Sequence, residues 1–367
     1  MIHAMADDPS QRRVGIKQIA DTLGISIGSV DRALHNRAGV SPKTRDRVLK
    51  MAEKLNYEPN LAARNLKLNR HIRIGVFLPE QIASFFNPLR AGIRAASRES
   101  AAGTIDVNFY TFPRLGEGDL KCMQRNEWRQ FDGVIMSPGN PARLNELPGI
   151  GEPNRAPIVF VATDAPRIHR LSSVAVESTI SGSIAAELLG QIISEPRPVV
   201  VFTGDLRIQD HAEKLRGFAA GLAMHASHLT LLPAVESHES PEAAYRAALQ
   251  VLDANPGLAG MYINTANSIP VIRAVEKSGR LGRIRIIATD LFPELACLIE
   301  SGQVFASLNQ RPYTQGRMAF EILSRYLING ALPKRNVRLA PHIVLRSNLG
   351  LLMDSLGPEE AGTPSKI

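Results

Sequence analysis

The sequence reads as a small module of three α-helices joined to a two-lobed, doubly wound parallel α/β domain. Three observations carry this reading. Near the N-terminus, two short helical segments with apolar faces flank a three-residue turn containing glycine. From residue 72 onward, apolar β-rich runs alternate with amphipathic helical runs. Positive charge sits at one end: residues 1–70 hold 13 Lys/Arg against 7 Asp/Glu, while residues 71–367 hold 30 against 28. A chain of 367 residues also exceeds what one ordinary core takes up.

The N-terminal elements follow from spacing. Ile16, Ile19, Ala20 and Leu23 recur at i, i+3, i+4 and i+7, one face of a helix. Gly24 can take the positive φ that ends it, and Ser26 can cap a second helix over 27–34. Either Ile27 or Val30 points inward there, followed by Ala33 and Leu34. Ser41 and Pro42 open a third helix, with Val48, Leu49, Ala52 and Leu55 as its apolar face and Lys43, Arg45, Arg47, Lys50 and Lys54 on the rest. Three helices with this turn form a helix-turn-helix, whose second helix can enter a major groove. The basic charge fits an anionic polymer as partner. Pro59 then breaks the third helix, and Asn60 can cap a short further helix that is marginal by itself.

The residues Ile16-Lys17-Gln18-Ile19-Ala20, Leu23-Gly24-Ile25-Ser26, Val30-Asp31-Arg32-Ala33-Leu34, Val40-Ser41-Pro42-Lys43-Thr44-Arg45 and Tyr57-Glu58-Pro59-Asn60 resemble the LacI family of bacterial regulators. The match runs without gaps over residues 14–68. It implies that the second helix reads bases and that the segment after Pro59-Asn60 is a hinge helix folding on specific DNA. It also implies that Leu66 wedges into the minor groove, with Ala63 on the groove-facing side. The DNA-facing set implied is Ile27, Gly28, Ser29, Asp31, Arg32, Asn60, Ala63 and Leu66. Family members usually carry a small hydroxyl residue where this chain has Asp31, so the operator sequence cannot be copied from better-known members.

The large domain has apolar runs at residues 72–78, 105–111, 133–137, 157–161, 174–176, 199–203, 258–263 and 284–288. Helical stretches lie at 88–100, 181–193, 210–224, 243–254 and 314–327. Continuous apolar strands alternating with helices predict parallel sheets covered on both faces. Ligands in such sheets sit at the carboxyl ends of strands. Over residues 71–350 the resemblance extends to the type I periplasmic sugar-binding fold, which implies a cleft between two lobes. Three interlobe crossings are expected, near residues 167–172, 290–293 and 309–312.

The effector candidates are Phe86, Asn87, Asp164, Asp210, Lys214, Asn264, Asp290 and Gln310, all placed after strands, with Phe85 beside Phe86. The resemblance implies effector contact at Lys214, Asn264, Asp290 and Gln310. Carboxylates and amides can hold adjacent hydroxyls of a polyol, and rings can stack on a sugar face. Ordinary roles stay open for several of them: Asp210 as a helix cap, Asp290 as a hinge or cap, Asn264 as a turn residue, Phe85 and Phe86 as core. His211 reads as an exposed residue at a helix start.

The expected divisions are a disordered lead over 1–13, the helix-turn-helix domain over 14–58, hinge helix and linker over 59–70, the two-lobed domain over 71–350 and a flexible tail over 351–367. The chain has no G-x-S-x-G elbow, P-loop, H-E-x-x-H or clustered His/Cys signature. Gly204, ending Val201-Phe202-Thr203, is a lone glycine and no dinucleotide fingerprint. A regulator is therefore expected rather than an enzyme, with no cofactor and no metal. Cys122 and Cys297 read as small core residues in a reducing compartment. No apolar run approaches the ~20 residues of a membrane span. The first 13 residues lack the apolar stretch of a secretory signal, so a cytoplasmic protein is expected. The expected partners are double-stranded operator DNA, a sugar-like effector and a second copy of the chain.

Overall fold

The computed structural model describes residues 16–34, 39–55, 71–100, 105–139, 142–152, 155–265 and 267–354. The lead, the hinge residues Asn60, Ala63 and Leu66, and the tail past Asp354 lie outside the described residues. The chain divides into two compact units, with the break between Arg70 and His71.

The first unit contains α1 (Ile16–Leu23), α2 (Ile27–Leu34) and α3 (Pro42–Lys54). Gly24 takes φ +64, and the Ile25 N–H donates back to the Ala20 carbonyl at 3.1 Å, which closes α1. Ser26 Oγ accepts the Ser29 N–H at 3.1 Å, and Ser41 Oγ accepts the Thr44 N–H at 3.1 Å. Each cap satisfies a first-turn donor and contributes about 1 kcal/mol. Ile19, Ala20, Val30, Ala33, Val48 and Ala52 form the core. Val30 therefore takes the inward position, and Ile27 is 52% exposed. Leu49, expected inward, is 48% exposed. The buried stripe of α3 runs through Val48, Met51, Ala52 and Leu55, and Leu49 lies about 100° around the helix from Val48.

The second unit has two lobes. The first is a parallel sheet of β1 (Ile72–Pro79), β2 (Ile105–Phe112), β3 (Gly133–Met136), β4 (Ile158–Val161), β5 (Ser172–Val176) and β12 (Asn336–Leu339). Its order is β12-β5-β4-β3-β1-β2. The second holds β6 (Pro198–Thr203), β7 (Thr230–Leu231), β8 (Val235–Glu236), β9 (Gly260–Asn264), β10 (Arg285–Thr289), β11 (Ala306–Asn309) and β13 (His342–Val344). Its order is β13-β11-β10-β9-β6-β7 with β8 also on β6, and β13 runs antiparallel to β11. Strands β3, β4, β5, β9 and β11 are buried at every residue, as a sheet with both faces covered requires. The short strands β11, β12 and β13 were not foreseen, because ASLN, NVRL and HIV are too brief or too polar to form an apolar run.

The helices of this unit are α4 (Ala83–Glu99), α5 (Asp119–Arg125), α6 (Ser178–Ile192), α7 (Gln209–His225), α8 (Pro241–Ala254), α9 (Ser268–Lys277), α10 (Pro293–Glu300), α11 (Pro312–Asn329) and α12 (Leu349–Asp354). Helix α4 starts before Pro88, so Phe85, Phe86 and Asn87 lie on a helix and not in a loop after β1. Helix α12 carries regular structure into the stretch expected as tail. Leu349 is buried in the second-lobe core, with Leu352 and Met353 packed beside it.

The chain crosses between lobes after β5 at Glu177, between β11 and α11, and between β12 and β13. Only the expected crossing at 309–312 stands. Residues 167–172 lead into β5 within the first sheet, where the Leu171 N–H donates to the Ile158 carbonyl at 2.9 Å. Residues 290–293 join β10 to α10 inside the second lobe, since β10 and β11 pair in parallel in one sheet. Cys122 is partly buried and burial pushes its thiol up, whereas Cys297 is exposed on α10 and not in the core as expected. Among the described residues no helix is long and apolar enough to cross a membrane.

Candidate functional site

In the first unit, Ile27, Gly28 and Arg32 are exposed on α2, while Ser29 and Asp31 are partly buried. Gly28 and Arg32 are one turn apart and share a face, so the Arg32 side chain lies over a position with no side chain of its own. Arg47 instead faces α1, where its guanidinium donates to the Leu23 carbonyl at 3.5 Å. Lys50 pairs with Asp46 at 3.0 Å on the surface, a contact of little energetic weight. The exposed face of α2 thus presents an apolar residue, Ile27, and a cation, Arg32.

In the second unit, a cavity of about 50 Å³ lies between the strand ends of the two lobes. The first lobe contributes Ile82, Phe85, Phe86, Leu115, Ala162 and Thr163. From the second lobe come Asp210, His211 and Lys214 of α7, Asn264 at the end of β9, Asp290 after β10 and Gln310 after β11. Glu239, Thr265, Thr289 and Ile208 complete that wall.

Much of the second-lobe wall is joined by hydrogen bonds. Gly182 on α6 and Gly217 on α7 have no Cβ because the two helix backbones meet there, at Lys214 and Thr179 respectively. This crossing brings Ser178 against Asp210. Ser178 Oγ donates to Asp210 Oδ1 at 2.7 Å, and Lys214 Nζ donates to Asp210 Oδ2 at 2.7 Å. Lys214 Nζ also donates to Gln310 Oε1 at 2.7 Å, and Gln310 Nε2 donates to Asp290 Oδ1 at 2.9 Å. Burial raises the Asp210 pKa, but Lys214, His211 and the hydrogen bonds outweigh it and hold the carboxyl below its usual value. Asp290 has no direct cation, and burial pushes its carboxyl up to about 6. Its backbone takes φ +71, a left-handed conformation rare outside glycine, held by the Asp290 N–H to the Leu308 carbonyl at 3.0 Å and by Ser307 Oγ donating to the Asp290 carbonyl.

Six of the eight expected effector residues therefore meet at one cavity: Phe86, Asp210, Lys214, Asn264, Asp290 and Gln310. Two do not line it. Asn87 Oδ1 accepts from Arg90 at 3.1 Å on α4. Asp164 is clamped by Arg170 at 2.6 Å and Arg338 at 2.8 Å, and it caps the Ala165 N–H at 2.7 Å. That ion-pair cluster ties β12 to the loop after β4, so Asp164 is a structural pin. His211 is buried and lines the cavity, contrary to the exposed histidine expected. Glu239 was missed: it sits in a loop, and only the fold brings it opposite His211. Gly204 gains a reason, since a Cβ there would strike the Glu239 carboxylate and the His211 ring.

One His/carboxylate group among the described residues, Asp205, Glu236 and His238, holds its donor atoms within 4.8 Å. Arg207 already clamps Asp205 at 3.0 and 2.5 Å, and Glu236 accepts the Leu206 N–H at 2.8 Å, so the group serves as a loop brace.

Residues 15–60 match the family described as bacterial regulatory proteins, lacI family, and residues 74–331 match a periplasmic binding protein domain. Catabolite control protein A of Priestia megaterium is 23% identical over 91% of this chain and 99% of its own length. The sucrose operon repressor of Klebsiella pneumoniae is 28% identical over 64% of this chain and 68% of its own. Among solved structures, GanP, a glucose-galactose binding protein from Geobacillus stearothermophilus, superposes with a TM-score of 0.69 at 22% identity, over 76% of this chain and 99% of that one. The helix-turn-helix unit followed by a two-lobed α/β unit, matched in both parts, makes this chain a member of the LacI family of bacterial transcription regulators with a periplasmic-binding-protein-like domain.

Proposed function

We propose that this regulator acts in the cytoplasm as a homodimeric repressor, and that a small polyol in the interlobe cavity sets its affinity for a palindromic operator. The observation that carries the effector reading is the convergence of Asp210, Lys214, Asn264, Asp290 and Gln310, spread over about a hundred residues of sequence, on one cavity at strand ends. The similarity to a sucrose operon repressor and to a glucose-galactose binding protein supports a sugar or sugar derivative.

Gln310 links ligand to motion. It stands on the crossing between lobes, and its side chain holds Lys214 and Asp290. Its carbonyl accepts from Gln315 Nε2 at 2.8 Å, while Gln315 Oε1 accepts the Ala162 N–H at 3.2 Å in the first lobe. A ligand that displaces Gln310 from Lys214 or Asp290 changes the crossing itself. Closure of the lobes then changes the spacing of the two hinge segments, and operator affinity shifts through a coupling of about 1–3 kcal/mol. In this reading Leu66 wedges into the minor groove, and Arg32 contacts a guanine edge or a phosphate.

Fluorescence anisotropy on a labelled operator tests the DNA half. Two headpieces should give a log–log salt dependence of magnitude ~5 or more. A slope near zero removes the DNA interface.

A further inference from the structure

Resting on the reading of the cavity as an effector site, we propose that the effector is a cationic polyol, an amino sugar or another hydroxyl-bearing amine, whose ammonium pairs with Glu239. Glu239 is 4% exposed. Its Oε2 accepts from Thr265 Oγ1 and Asn267 Nδ2, both at 2.9 Å. Its Oε1 lies buried at the cavity with no hydrogen-bond partner, and His211 Nε2 stands 3.6 Å away. A buried carboxylate is costly unless a cation pairs with it. The permanent cations nearby are committed elsewhere, Lys214 to Asp210 and Gln310 and Arg207 to Asp205, and His211, whose Nδ1 accepts the Asp205 N–H at 3.0 Å, pairs with Glu239 only in its protonated form.

The side chain is also deliberately aimed. His238 and Glu239 take φ +47 and +56, both left-handed, and Gln81 Nε2 of the first lobe donates to the Glu239 carbonyl at 2.7 Å. Gly204 leaves the room the carboxylate fills. A second bare acceptor stands in the same wall. Asn264 Nδ2 donates to the His211 carbonyl at 3.2 Å, which fixes the amide orientation and leaves Oδ1 buried without a partner. Two bare acceptors call for a donor-rich ligand.

Charge selects among donor-rich ligands. Asp210 and Lys214 offset each other, so Glu239 and Asp290 leave the wall acidic. Among the described residues the lining contains no arginine, and the first-lobe wall offers only Thr163 as a polar side chain. A phosphate or uronate would face carboxylates with no free cation to meet it. An amine supplies the cation Glu239 lacks, and hydroxyls supply donors to Asn264 and Asp290.

The test is calorimetry on the full-length protein at neutral pH with matched sets: glucosamine, glucose and glucuronate, and the corresponding galacto and manno compounds. In at least one set the amine should bind about tenfold or more tighter than its neutral parent, about 1.4 kcal/mol, and the uronate should not bind. Glu239→Gln, checked for folding by circular dichroism, should erase the amine's advantage over its neutral parent. If neutral parents bind as tightly as the amines, or if uronates bind, the cationic assignment is overturned while the polyol reading stands. If Glu239→Gln folds and keeps the amine preference, the ammonium is not at Glu239. If no member of any set binds, the polyol reading falls and this proposal with it. Should Glu239→Gln fail to fold, the wild-type comparison decides alone.

Discussion

The two walls of the cavity come from two copies of one architecture, and they differ in kind. The first-lobe wall is Ile82, Phe85, Phe86, Leu115 and Ala162, with Thr163 its one polar side chain. The second-lobe wall holds Asp210, His211, Lys214, Glu239, Asn264, Asp290 and Gln310 in a nearly continuous network. Parallel strands put their carboxyl ends at the cavity in both lobes, so the fold sets where a wall stands and not what it is made of. The difference teaches a division of labour. With the proposed polyol in the cavity, the second lobe would fix ligand orientation by hydrogen bonds and charge, and the first lobe would cover an apolar face and exclude water. A charged wall is also sensitive to pH and to loss of one partner, whereas an apolar wall responds to volume.

The largest expected effect sharpens that contrast. Lys214→Met removes the cation from a buried pair and leaves Asp210 uncompensated, which should cost about 3–5 kcal/mol in urea unfolding at neutral pH. A loss below about 1 kcal/mol would mean that the second-lobe wall is not held by charge at all.

The next effect concerns Asp290. Its folded pKa is raised from 3.8 to about 6, so its neutral form favours the fold. That stability is fully present below about pH 4 and lost as pH rises through about 6. Asp290→Asn, permanently neutral, should therefore be more stable than wild type at pH 7.5, by up to about 3 kcal/mol, with the gap closing toward pH 4. The same variant should bind effector about tenfold or more weakly, because a charged acceptor becomes a neutral amide. Thermal melts across pH, paired with calorimetry, check both. A variant that melts early yet binds normally would make Asp290 a structural cap.

The smallest effect probes the other wall. Phe86→Leu keeps the wall apolar but removes the ring that packs edge-on against Phe85 at 5.0 Å. Effector affinity should fall by about 0.5–1.5 kcal/mol without pH dependence. A larger loss that follows pH would break the division between the walls.

Much was legible beforehand where local chemistry decides. Gly24, Ser26 and Ser41 mark helix ends by φ and by a side-chain acceptor, so α1 and α2 match the expected residues and α3 starts at Pro42. The long apolar strands were likewise readable because both faces of each strand are buried. Asp164 was misplaced for the opposite reason. An aspartate after a strand looks the same whether it faces a cavity or two arginines, and Arg338 lies far along the chain on β12.

Spacing along the chain thus set the helix-turn-helix, the alternation of strands and helices, and the positions just after strands where polar residues gather. Packing set the rest. The lobe crossings depend on which sheet each strand joins, a matter of pairing partners more than a hundred residues apart for β12 and β5. His211 and Glu239 became a facing pair only because α7 and the loop before α8 meet over Gly204. Local capping and periodicity act through neighbours a few residues apart and leave a trace in sequence. Burial, pKa and a carboxylate oxygen without a hydrogen bond arise from contacts between distant segments, and no short window of the chain contains them.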